Sequence, residues 1–145
     1  MRAKLSLTGV LLVFVVVAAA GCGPSPTVAS ATPGYSQTDI RTGAGNEAVA
    51  GSVVTVEYAG WFLDPTKTDQ KGLLFDTSRG SATPFSFTVG AKQVIAGFDE
   101  GTVGMRVGGL RRLVIPPSLA YGMTRTGSIP PNATLVFDIE LLSLQ

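Results

Sequence analysis

The sequence predicts an α+β domain, a twisted antiparallel sheet with one short helix. Three observations carry this. Several runs alternate apolar and polar residues with the period of a strand. Glycine and proline, 18 and nine of 145 residues, punctuate between those runs. Only one stretch has a helical pattern.

Taken in order, Gln37–Thr42 reads as a short edge strand. Val53–Tyr58 is a strand with Val54, Val56 and Tyr58 on one face and Val53, Thr55 and Glu57 on the other. Phe85, Phe87 and Val89 alternate with Ser86 and Thr88 in the next. The helix falls around Ala96–Val103 and is weak by propensity, with Gly97 near its start. In Leu110–Ile115, Leu113 and Ile115 share a face with Arg111, and Arg112 lies opposite. Thr134–Leu142 is the clearest strand. Leu135, Phe137, Ile139 and Leu141 point one way, and Thr134, Val136, Asp138 and Glu140 the other.

The N-terminal segment is of another kind. Arg2 and Lys4 precede 16 uncharged residues, Leu5–Ala20, which end in small side chains. This is the layout of a secretory signal, and it is short for a membrane span, which needs about 20 residues. Cys22, the single cysteine, follows directly after Ala19-Ala20-Gly21. The junction resembles a bacterial lipobox, with Ala19 where leucine is preferred. The resemblance implies a lipidated Cys22 that holds the protein on a membrane. Gly23–Gly34 then holds three prolines and no charge, the composition of a tether. The expected organisation is a signal peptide over residues 1–21, a lipidated cysteine and linker over 22–37, and a folded domain over 38–145.

Composition narrows the chemistry. There is no histidine, so the usual metal ligand and the usual base at neutral pH are missing. One cysteine excludes an intramolecular disulfide and a Cys-rich zinc site. A net charge of +1 argues against nucleic acid as a partner. The expected function needs no metal, cofactor or nucleophile.

Several segments, in order and at compatible spacing, match one family. They are Val56-Glu57-Tyr58-Ala59-Gly60, Phe75-Asp76-Thr77-Ser78-Arg79, Pro84-Phe85-Ser86-Phe87 and Gln93-Val94-Ile95-Ala96-Gly97-Phe98-Asp99-Glu100-Gly101. Met105–Gly109, Ala120-Tyr121-Gly122 and Ile129–Asp138 complete the set. From about Asp39 to Gln145 the chain resembles an FKBP-type peptidyl-prolyl cis–trans isomerase. The resemblance implies a half-barrel of about five antiparallel strands wrapped around one short helix. It also implies an apolar pocket that receives a proline ring. In that pocket Asp76, Tyr58, Tyr121 and Phe137 would carry catalysis, and Phe75, Phe85, Val94, Ile95, Phe98 and Ile129 would bind substrate. Phe98 would form the floor, where the family most often has tryptophan. The Ile95 N–H and the Tyr121 hydroxyl would hold peptide carbonyls, and Tyr58 would orient Asp76. The chain departs from the compact family pattern by a longer connection between Leu63 and Leu74 and a shorter loop over Gly122–Ser128.

The implied partners are proline-containing peptides of exported proteins, and macrolide inhibitors of the FK506 and rapamycin type. A monomer is expected. Two rival functions share the pocket: a binding module with little turnover, and a lipoprotein that captures a hydrophobic ligand. By pattern alone Tyr58, Phe85 and Phe137 read equally well as core. Asp76, beside Phe75 in an apolar run, needs a partner, or caps Ser78 in a turn. Arg79 is expected to pair with a carboxylate or a carbonyl, Arg111 and Arg112 to form a solvated strand end, and Gly97 and Gly101 to let the helix pack closely.

Overall fold

A computed structural model describes residues 33–145. Cys22 and the segment before it lie outside the described residues. Six strands and one α-helix follow in the order β1 Ser36–Arg41, β2 Val53–Leu63, β3 Lys71–Thr77, β4 Phe85–Thr88, α1 Ala96–Thr102, β5 Leu110–Ile115 and β6 Leu135–Leu144. A single 3-10 turn, Pro117–Leu119, follows β5. All strand pairs are antiparallel. The sheet runs β1-β5-β6-β2-β3, with β4 also paired to β2, and it is not closed.

The sheet therefore has six strands rather than about five. The additional strand is β3, which begins inside the stretch read as a connection. Its sequence, Lys-Gly-Leu-Leu-Phe-Asp-Thr, has no period-two alternation, and its register against β2 is broken by bulges. β2 also runs on to Leu63, past the predicted end at Tyr58.

The apolar side chains predicted to share a face do so. Val54, Val56, Leu113, Ile115, Leu135, Ile139 and Leu141 are fully buried in one cluster with Phe87, Phe98 and Phe137. α1 lies against β5 at a distance that only glycine permits. A Cβ on Gly97 would stand 2.5 Å from Ile115, and one on Gly101 would stand 2.4 Å from Leu113.

Three arginines depart from expectation. Arg111 is 7% exposed rather than solvated. Its guanidinium donates to the carbonyls of Gly101 and Val103, both at 2.9 Å, and to the Asp39 carboxylate. It thus caps the C-terminal end of α1, where free carbonyls attract a cation, and ties that end to β1. The hydrogen bond from Arg111 holds the Asp39 carboxyl below its ordinary pKa. Arg112, opposite, donates through Nε to Asp138 (2.8 Å), and Lys71 joins the same carboxylate from β3 (2.6 Å). Burial alone would raise the Asp138 carboxyl; hydrogen bonds from Arg112 and Lys71, with their charges, bring it below its usual value instead. Over Leu135–Ile139 both faces of β6 are therefore covered, one by apolar packing and one by ionic arms. Arg79 departs in the other direction. It is exposed, and among the described residues its guanidinium has no carboxylate or carbonyl partner; Thr77 Oγ1 accepts from its main-chain N–H (3.1 Å).

Candidate active site

Between α1 and the concave side of the sheet lies a cavity of about 380 Å³. All ten residues predicted for the site line it: Tyr58, Phe75, Asp76, Phe85, Val94, Ile95, Phe98, Tyr121, Ile129 and Phe137. Each comes from a different local device.

Tyr58 stands where the outer edge of β2 changes partner. β4 pairs with Val53–Val56 and β3 with Ala59–Leu63. Ser78 bridges the gap. Its Oγ accepts from the Tyr58 N–H (2.9 Å), and its own N–H donates to the Tyr58 carbonyl (3.0 Å). The Tyr58 hydroxyl then donates to Asp76 Oδ2 (2.8 Å), as the resemblance implies. Asp76 does not cap Ser78. Burial first, and the Asp76 hydrogen bond second, push the Tyr58 hydroxyl up to about 12, so it stays a protonated donor at physiological pH.

Phe75 and Asp76 are consecutive, so a regular strand would send them to opposite faces. Both line the cavity because the register shifts between Gly60 and Trp61: Gly60 faces Asp76, Trp61 faces Leu74, and Phe75 is the extra residue. A bulge of this kind re-aims a side chain at a site. Gly60 makes room for the result. A Cβ there would lie 2.7 Å from the Phe137 ring and 2.8 Å from the Phe75 ring.

The aromatic walls meet edge to face, the arrangement that ring quadrupoles favour. Phe98 contacts Phe137 at 5.3 Å between centroids and Tyr58 at 5.7 Å; Phe75 contacts Phe137 at 5.6 Å. Phe98 and Phe137 are 4% and 5% exposed, so they are core and wall at once.

Val94 and Ile95 precede α1. Their loop is pinned by the buried Asp99, whose carboxylate accepts from the Gly90 N–H (2.7 Å) and the Lys92 N–H (3.3 Å). The Gln93 side-chain carbonyl accepts from Thr88 N–H (2.8 Å). Ile95 is the N-cap of α1, and its carbonyl accepts from Phe98 and Asp99. Its own N–H has no acceptor among the described residues. The same holds for the Tyr121 hydroxyl, whose pKa is raised by burial and then by the Asp76 charge. Ile129 enters from a two-residue hairpin turn, Thr126–Ile129, with Gly127 at φ +56°.

Sequence reasoning did not single out Gln93, Thr126, Gly127 and Ser128, which also line the cavity. Nor did it single out the supports Gly60, Ser78 and Asp99. Gly60, Ser78, Gln93 and Asp99 lie inside the matched segments, but only three-dimensional packing shows what they hold.

An aromatic cavity with two open donors and one carboxylate, on an open antiparallel sheet wrapped over a short helix, is the arrangement expected of the peptidyl-prolyl isomerase class. The match to FKBP-type peptidyl-prolyl cis–trans isomerase covers residues 45–142, and the chain belongs to that family. An FK506-binding protein of Neisseria meningitidis serogroup A is 45% identical over 107 residues, 73% of this chain and 92% of that protein. FK506-binding protein 1 of Dictyostelium discoideum is 45% identical over 113 residues, 77% of this chain and 99% of that one. Among solved structures, FkpA from Escherichia coli superposes with a TM-score of 0.66 at 38% identity, over 77% of this chain and about half (48%) of that one. AtFKBP13 gives 0.63 at 35% identity, over 77% and 93%.

Proposed function

We propose that this chain itself turns over X-Pro bonds, without covalent chemistry, in proteins exported across a bacterial membrane. The observation that carries the activity is the pairing of open polar groups with an aromatic-walled cavity. The Ile95 N–H and the Tyr121 O–H stand ready to hold peptide carbonyls, and the Tyr58-oriented Asp76 lies beside the amide. X-Pro rotation has a barrier of about 18–20 kcal/mol, set by amide resonance. The twisted amide has lost that resonance and part of its charge separation. It is better matched by Phe98, Phe137 and Tyr58 than by water, while the two donors fix the flanking chain. Macrolides of the FK506 type would compete for the same cavity, in keeping with the names of the relatives.

The test is proline turnover on a chromogenic tetrapeptide. Asp76→Ala is expected to lower kcat/KM about tenfold, or 1.4 kcal/mol of transition-state stabilisation, with the fold intact by circular dichroism. A folded wild-type protein with no rate above background would leave the binding-module reading instead.

We also propose that lipid on Cys22 anchors the domain to the cell envelope, supported by the basic, apolar and small-residue order of residues 1–21. No helix among the described residues is long and apolar enough to cross a membrane. Labelled palmitate is expected to enter the wild-type protein in cells and to be absent from Cys22→Ala.

A further inference from the structure

The strand that carries Phe75 and Asp76 into the cavity is an open sheet edge. β3 ends the sheet path opposite β1 and is paired on one side only, to β2. Leu73 and Leu74 on it are 74% and 47% exposed. Edges of this kind are ordinarily blunted by charge, proline or bulges; β3 has bulges but no proline. Of its two charged residues, Asp76 is held by Tyr58 at the cavity wall and Lys71 is drawn across the face of the sheet. Its Nζ lies 4.2 Å from the centroid of the Trp61 ring and 2.6 Å from Asp138 on β6. Gly72, Leu73 and Leu74 are left as an uncharged, open run. Met123, 77% exposed, adds apolar surface in the loop that supplies Thr126–Ile129 to the cavity wall.

We infer that the β3 edge is a docking site for the extended polypeptide whose proline occupies the cavity. The apolar residues flanking that proline would add as a strand beside Gly72–Leu74. The inference rests on the isomerase reading for its occupant. Continuity selects an unfolded chain: Leu73 lies three residues from Asp76, about 10 Å of extended backbone, so one substrate can span edge and cavity together. Paired main-chain groups would supply affinity with little demand on sequence, and the two leucines would favour apolar flanks.

Two peptides separate the edge from the cavity: a tetrapeptide, and a 12-residue peptide with the same X-Pro bond between leucine- and valine-rich flanks. Wild-type protein is expected to turn over the long peptide with the higher kcat/KM. Leu73→Ser/Leu74→Ser is expected to lower kcat/KM for the long peptide about tenfold more than for the tetrapeptide, through KM. Ile40→Ser, a change of similar exposure on the opposite edge strand, is expected to move neither. Equal effects of the double variant on both peptides, or none on the long one, would overturn the inference. So would a wild-type dimer, seen by sedimentation, that the double variant dissolves, since the edge would then belong to a second copy. If wild-type protein turns over neither peptide, the isomerase reading fails and anisotropy of the labelled long peptide decides the edge. Tenfold weaker binding by the double variant sustains the docking site, and unchanged binding ends it.

Discussion

Replacing Arg111 with alanine is expected to destabilise the domain by about 3 kcal/mol, read as a fall in the urea midpoint at unchanged slope. The side chain is buried and makes hydrogen bonds to two carbonyls at the end of α1 and to the Asp39 carboxylate. Removing it leaves the Gly101 and Val103 carbonyls without their partner and deletes the packing of the alkyl stem. Domains of this size are stable by about 5–15 kcal/mol, so the loss would be a large part of the whole. Asp39→Ala is the informative comparison. The Asp39 side chain is 45% exposed, and its loss leaves Arg111 on both helix carbonyls. A cost of about 1 kcal/mol is expected. Equal costs for the two variants would show that the ion pair, not the helix cap, is what matters.

The second large effect falls on activity. Gly60→Ala is expected to lower turnover between about tenfold and a hundredfold, at a stability cost of only about 1–3 kcal/mol. The added methyl meets the tips of the Phe137 and Phe75 rings, both closer than a real contact allows. Those rings are hemmed in by Phe62, Phe98 and Tyr58. The open direction is the cavity itself, so the strain is relieved by filling the space meant for proline. Gly34→Ala, where a Cβ meets nothing within 4 Å, is the control and is expected to be silent. If Gly60→Ala lost stability and kept its rate, the rings would be moving outward and the cavity would be wider than its walls suggest.

Most of the fold was legible because most strands alternate. β5 and β6 place Leu113, Ile115, Leu135 and Ile139 on the predicted core face, and the helix falls at Ala96–Thr102 within one residue of its reading. β3 was missed for a physical reason. A bulged edge strand has no strict alternation, because one residue is unpaired and its neighbours are not confined to one covered face. The arginines were misread because charge at a strand end usually means solvent, and nothing local shows that the free end of α1 will arrive above Arg111. The site was legible through its matched segments. Their order placed ten residues about one cavity, while the supports, Gly60 and Ser78 among them, required the register of β2 with its two partners on the same edge.

The shortness of α1 has a consequence for how the site comes into being. Seven residues, two of them glycines turned to β5 and no side-chain cap at Ile95, fall well below the roughly 12–15 residues at which an isolated helix becomes even marginal. The sheet makes this helix, and the helix carries the cavity floor at Phe98. Floor and walls therefore share one cooperative unit. Heating should abolish binding and ordered structure at a single temperature, with no half-melted form that still grips a substrate.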